Sequence, residues 1–189
     1  MGKIISHKKY NFQTGFTLIE LLVVISIIGL LSSVVLVSMN SARLKARDGR
    51  RLSDMRQIQT ALELYYDKNK QYPNPACDPL GNCSVTTCSG WDSSGDGEFI
   101  IALKNDGILS NSPMDPRNSP VSCGTYHYRY YRYGADVAGN CDPCQGRAYY
   151  VIGFNTSESI TGVHPKSPGW SCNIRNWQGE FSWVVGKCE

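Results

Sequence analysis

The sequence predicts an α+β protein: one long amino-terminal helix packed on a small antiparallel sheet in a disulfide-rich head. Three observations carry that expectation. An uncharged run extends from Leu21 to Ala42. An apolar stripe of Leu52, Met55, Ile58, Leu62 and Tyr65 follows at the spacing of a single helix face. Beyond it, residues 126–133, 148–154 and 181–185 are rich in aromatic and β-branched side chains, the composition of strands.

The chain opens with a short polar tail carrying Lys3, His7, Lys8 and Lys9 and no acid before Gly15. The 22 positions from Leu21 to Ala42 are enough, at about 1.5 Å per residue, to cross a bilayer core of about 30 Å. An ordinary secretory signal has an apolar core of about 7–15 residues with its cleavage site behind it. Here the apolar core is longer, and the expected processing site lies in front of it, between Gly15 and Phe16. One acid, Glu20, interrupts the run near its start. A carboxylate on an apolar membrane helix costs about 2.5–3.5 kcal/mol at mid-bilayer and less near the interface, so it calls for a partner.

Gly15-Phe16-Thr17-Leu18-Ile19-Glu20 resembles the prepilin signature of type IV pilins and of the pseudopilins of type II secretion systems. The resemblance implies that a membrane peptidase cuts after Gly15 and methylates the new amino terminus of Phe16. It also implies that Glu20 helps the subunit dock into a filament, with the Phe16 amine as its counter-ion on the same or the next subunit. The partners implied are other copies of the chain and other pilins, the prepilin peptidase/methyltransferase, and an inner-membrane assembly platform driven by a separate ATPase. Membrane lipid is the partner before assembly. Gly29 matches a helix-loosening glycine of many such proteins, whereas the proline they often carry eight residues later is Val37 here, so a built-in kink is not expected.

Four segments are expected: a leader at 1–15, a transmembrane or filament-core helix at 16–42, its amphipathic continuation at 43–72, and a globular head at 73–189. Tyr72-Pro73 closes the helix, because a residue before proline is pushed out of helical geometry; this exit is also similar to that of major pseudopilins. Residues 16–70 would form one helix of about 80 Å. Residues 74–97 look like a loop, Glu98–Asn105 like a short helix stopped by Gly107, and 155–171 like a surface loop. The order Asp115-Pro116, Asn118, Pro120 and Tyr126-x-Tyr128 is similar to the loop before the sheet in major pseudopilins.

Cutting after Gly15 would leave 174 of the 189 residues. It would remove three of the 19 basic side chains and none of the 16 acids, so the net charge falls from +3 to 0. That balance does not argue for nucleic acid or anionic lipid. Eight cysteines, at 77, 83, 88, 123, 141, 144, 172 and 188, all lie beyond the apolar run, which implies up to four disulfides in an oxidising compartment. By resemblance to the loop many type IV pilins staple near their C-terminus, Cys172 and Cys188 are expected to pair. The leader lysines favour a cytoplasmic amino terminus, with the head exported and later displayed on a filament. Arg43, Lys45, Arg47, Arg50, Arg51 and Arg56, against only Asp48 and Asp54, compete with that orientation. This cluster reads as a filament-packing or solvated face.

Three constellations invite chemistry. Asp92, Ser94 and Asp96, with Gly97 next, fit the first half of a calcium loop, but Leu103 stands where the closing bidentate acid belongs; the alternative is a solvated turn. Cys141-Asp-Pro-Cys144 has the spacing of a redox pair or half a zinc site, yet no second such motif or redox-type surroundings accompany it, and a structural disulfide fits better. Tyr126, Tyr128, Arg129, Tyr130, Tyr131, Arg132 and Tyr133 interleave stacking and charge as a nucleic-acid platform does. The neutral net charge favours instead a half-buried strand with tyrosines inward and arginines outward, and a nucleic-acid partner is not expected.

The expected function is that of a structural prepilin, not an enzyme. No phosphate-binding loop is present in the sequence. The middle of the chain leans toward a major pseudopilin, and the cysteine-rich insertions lean toward a surface pilin. The alternative is a signal-anchored extracytoplasmic binding or redox domain that never polymerises.

Overall fold

The computed structural model describes residues 15–75, 90–95, 97–118, 125–135 and 142–189. Cys77, Cys83, Cys88, Asp96, Cys123, Cys141 and the leader before Gly15 lie outside the described residues. The chain divides into two units, Met1–Ser41 and Ala42–Glu189.

The helix α1 runs from Leu18 to Asn69, close to the expected span. Lys70 closes it in the left-handed region, at φ 57°, while its N–H still reaches the Tyr66 carbonyl at 2.7 Å; Pro73 then bars any further turn. The expected stripe is the buried one. Met55, Ile58, Ala61 and Leu62 are buried, with Leu52 and Tyr65 half-buried beside them.

Four strands form the sheet: β1 (Asp92–Ser93), β2 (Tyr128–Tyr133), β3 (Tyr149–Phe154) and β4 (Trp183–Cys188). They lie in sequence order and every neighbouring pair is antiparallel. A five-residue helix, α2 (Ile101–Asn105), precedes β2. It starts later than expected because Ile100 takes a left-handed conformation, its N–H held by Asp92 Oδ2 at 3.0 Å. The expected loop at 74–97 also contains β1, too short for any periodicity to reveal.

Alternation along the strands divides the core in two. Tyr128 and Tyr130 of β2, Tyr150, Ile152 and Phe154 of β3, and Trp183 of β4 pack with the α1 stripe, Phe99 and Leu103. On the other face, Tyr149, Val151 and Val184 pack with Trp91, Cys144, Trp177 and Phe181. The expectation of tyrosines inward and arginines outward is therefore corrected: β2 has tyrosines on both faces because both faces are covered. Tyr131 and Tyr133 join the second cluster. Arg132 sits on the α1 side and grips the Glu189 carboxylate with two hydrogen bonds, at 2.6 and 3.0 Å.

The stretch expected as a surface loop supplies part of that second cover. A Cβ on Gly186 would run into the Trp170 ring, so the indole lies against bare backbone that only glycine leaves open. Gly169 N–H donates to the Val184 carbonyl at 3.1 Å, and Ser167 Oγ accepts from Val184 N–H at 3.0 Å, which shields the outer edge of β4.

The expected pairing of Cys172 with Cys188 is corrected as well. Cys188 is bonded to Cys144, and Cys172 belongs to another disulfide. The strand register explains it: Tyr149 lies opposite Cys188, and a turn with Gln145 and Gly146 at positive φ folds Cys144 back beside it, 5.6 Å between Cα atoms. Asp142 fastens that turn by accepting N–H bonds from Cys144 and Gly146 at 3.1 and 2.6 Å.

Candidate functional site

The amino-terminal site begins where backbone amides need partners. Gly15, Phe16 and Thr17 are non-helical and α1 starts at Leu18. The first turn of a helix has N–H groups with no carbonyl to meet. Thr17 and Glu20 resolve this reciprocally: Thr17 Oγ1 accepts from Glu20 N–H at 3.3 Å, and Glu20 Oε2 accepts from Thr17 N–H and hydroxyl at 2.9 and 2.6 Å. This is a capping box. The expected assembly carboxylate thus has a local task, and it is held four residues from the nitrogen that cleavage at Phe16 would turn into an amine. The pattern Thr17-x-x-Glu20 carries this in the sequence.

Downstream, α1 offers an apolar surface without internal cover. Phe16 and Leu18 are each 88% exposed, and Leu21, Ile25, Ile28, Leu31 and Val34 are exposed along the following turns. Two of its serines are turned inward, since Ser26 Oγ donates to the Leu22 carbonyl at 2.8 Å and Ser33 Oγ to the Leu30 carbonyl at 2.7 Å. Among the described residues α1 is the one helix long and apolar enough to cross a membrane.

The head holds a constellation the sequence did not disclose. Arg51 is fully buried. It makes two hydrogen bonds to Asp115, at 2.7 and 2.9 Å, and one each to Asp48 at 2.7 Å and Glu158 at 2.8 Å. Arg47 binds Glu158 through two more, at 2.7 and 2.6 Å. Asp48 in turn accepts from the backbone N–H groups of Glu158 and Ser159 and from the Ser159 hydroxyl. Burial pushes the Asp48 carboxyl up, but the bonds from Ser159, Glu158 and Arg51 outweigh it and hold the group below its ordinary value. Glu158 is lowered chiefly by Arg47, against burial and with Arg51 adding to the effect. Charges this deeply buried persist only when paired and fully hydrogen-bonded. The cluster clamps two distant loops to α1, and it removes Arg47 and Arg51 from the face on which the sequence placed them.

The remaining candidates have structural tasks. Asp92 holds the Ile100 amide, and Ser94 Oγ accepts from Tyr128 N–H at 2.9 Å. No group of three or more His, Cys, Asp or Glu side chains suited to a metal occurs among the described residues. Cys144 is bonded to Cys188, so the Cys141-x-x-Cys144 spacing is not a disulfide pair. Tyr128 and Tyr130 are fully buried and present no stacking surface to a base.

Comparison with known proteins agrees with this geometry. Residues 10–36 match the model of a prokaryotic N-terminal methylation motif. The chain is 35% identical over 110 residues to type II secretion system core protein G of Aeromonas hydrophila, covering 57% of this chain and 70% of that one. Against the same-named protein of Escherichia coli it is 32% identical over 108 residues, 55% of this chain and 66% of the other. A longer match joins it to the type IV major fimbrial protein FimA of Dichelobacter nodosus, 31% identical over 164 residues, 86% of this chain and 88% of that protein. No solved structure matches the chain.

Proposed function

Because this chain belongs to the type IV pilin and type II secretion pseudopilin family, whose members are structural filament subunits and not enzymes, we propose that it is made as a membrane prepilin, cut after Gly15, methylated at Phe16 and polymerised through α1. The observation that carries this reading is the conjunction at one end of α1: the cleavage motif, the capping acid, and an apolar surface that nothing in its own unit covers. Roughly 25 cal/mol per Å² of apolar surface favours removing that face from water. Lipid satisfies the requirement first, and the α1 helices of neighbouring subunits satisfy it afterwards. The disulfide-stapled head then faces outward. A separate ATPase supplies the work of extension, and the cytoplasmic amino terminus and exported head follow from the same scheme.

The first test is the intact amino-terminal peptide of the membrane-bound or sheared protein by mass spectrometry. A chain beginning at Phe16 and one methyl heavier than its sequence supports the proposal. A chain beginning at Met1, or cut beyond the apolar run, supports the anchored-domain alternative.

The capping box sharpens the role of Glu20, because glutamine serves in that position nearly as well as glutamate. If the charge pairs with the Phe16 amine, Glu20→Gln and Glu20→Ala both block assembly while the subunit accumulates in the membrane. If capping is the whole role, Glu20→Gln assembles normally.

A further inference from the structure

A net charge near zero after processing hides a sorting of charge that only the fold reveals. The buried carboxylates of Asp48, Asp115 and Glu158 are taken up by Arg51 and Arg47 inside the cluster, with the exposed Arg117 at its edge, 3.4 Å from Glu158. What stays outside is one-sided. Arg43, Lys45, Arg50 and Arg56 are exposed, and the one other acid between Ala42 and Gln57 is Asp54. That carboxylate is half-buried and accepts the Tyr128 hydroxyl at 2.6 Å, with Arg50 at the longer distance of 3.9 Å. Arg43, Lys45 and Arg56 have no ion pair among the described residues. Holding Asp48, Asp115 and Glu158 in the interior therefore leaves a basic outer face on a chain whose overall charge does not reveal one.

The position of these bases selects their partner. At about 1.5 Å per residue along α1, Arg43 and Lys45 lie within about 5 Å of the end of the uncharged run at Ala42, and Arg50 within about 12 Å. A headgroup layer is about 5–7 Å deep on each side of the hydrocarbon core, and long cationic side chains reach across it. Arg56, about 20 Å along, lies beyond that layer.

We propose that Arg43, Lys45 and Arg50 form a binding surface for the phosphate headgroups of anionic lipid, occupied while the subunit resides in the membrane. The proposal rests on the membrane-resident prepilin reading above. It gives the basic cluster a task that its conflict with the leader lysines left unexplained: the outer bases anchor the helix in the leaflet and do not set its orientation. It also implies that leaving the membrane for a filament breaks these contacts, so anionic lipid content opposes extraction of the subunit.

The test uses the full chain reconstituted in vesicles of phosphatidylcholine with 20–30% phosphatidylglycerol, in about those proportions, with spin-labelled lipid of each type reporting association. Wild type is expected to prefer phosphatidylglycerol, with the preference falling steeply in molar salt. Replacing Arg43, Lys45 and Arg50 by glutamine is expected to lower it by about fivefold or more. Arg56→Gln, and the double change Lys104→Gln with Lys166→Gln elsewhere on the head, are expected to leave it unchanged. Leader lysines are common to all of these proteins, so the differences between them report α1 alone. Equal preference in wild type and the triple variant overturns the proposal. So does a triple variant that behaves like wild type toward lipid but loses subunit–subunit crosslinks, which would assign the bases to a neighbouring copy. Failure of the wild-type chain to float with vesicles overturns the membrane reading itself, and is read separately from lipid preference.

Discussion

The two halves of α1 obey the same helix geometry and solve opposite problems. Between Phe16 and Met39 the described large apolar side chains are exposed, and the Ser26 and Ser33 hydroxyls turn back onto their own helix. From Met55 to Leu62 the apolar side chains are covered by the sheet, and Asp48 and Arg51 just before them are buried among partners. The first half is stable only in surroundings supplied from outside, by lipid or other helices. The second half carries its surroundings with it, because loops from far along the chain return to it. Sequence composition fully specifies the first case. In the second, composition specifies the stripe but not the partners.

The largest expected effect lies in the covered half. Arg51→Met removes the cation from between Asp48, Asp115 and Glu158, leaving buried carboxylates uncompensated, and is expected to destabilise the head by about 3–5 kcal/mol. Chemical unfolding in detergent, followed by near-ultraviolet circular dichroism, measures it. Ile28→Ala, an equally drastic change in the exposed half, is expected to leave that transition where it was. A matching loss from Ile28→Ala would break the comparison.

Next comes the staple at the far end of the sheet. Cys188→Ser opens the bond to Cys144 and is expected to cost about 2–4 kcal/mol. A non-reducing peptide map of the wild-type chain should show Cys144 and Cys188 in one linked pair. Finding Cys188 linked to Cys172 would overturn the strand register that brings Cys144 within reach.

These two cases show what the sequence could and could not disclose. The Met55, Ile58 and Leu62 stripe was legible because periodicity is local, and Gly15 to Glu20 because a motif is contiguous. Arg51 was not: its partners Asp115 and Glu158 lie 64 and 107 residues away, and no spacing rule links a guanidinium to carboxylates that only the folded loops deliver. The cysteine pairing failed for a related reason, since it depends on which residue of β3 stands opposite Cys188. Two-residue β1 offered no period at all. The covered second face is not legible in the sequence because Trp170 lies over Gly186, a relation that exists only in the folded chain.

Acid should act on the covered half more gently than either substitution. Asp48 and Glu158 titrate below their ordinary values of 3.8 and 4.5. Folding is therefore favoured by their ionised forms: the contribution is complete above those values and is lost as pH falls through the lowered ones. Head stability is expected to decline progressively below about pH 4, and to decline less steeply in Arg51→Met, where the bonds that lower both carboxyls are already weakened. An equal acid slope in the two proteins would place the titrating groups elsewhere.

The smallest effect tests the exposed half on its own terms. Thr17→Ala removes the hydroxyl that caps Glu20 N–H and leaves the Glu20 carboxylate in place. Losing such a cap costs about 1 kcal/mol, and nothing downstream in α1 shares the loss, because no side chain in that stretch depends on the first turn for its cover. Hydrogen exchange should therefore speed up by about fivefold at the amides of the first turn, Leu18 to Leu21, and remain unchanged from Met55 onward. If protection fell along the whole helix instead, the two halves would be one cooperative unit, and the separate solvents described for them would share a single stability.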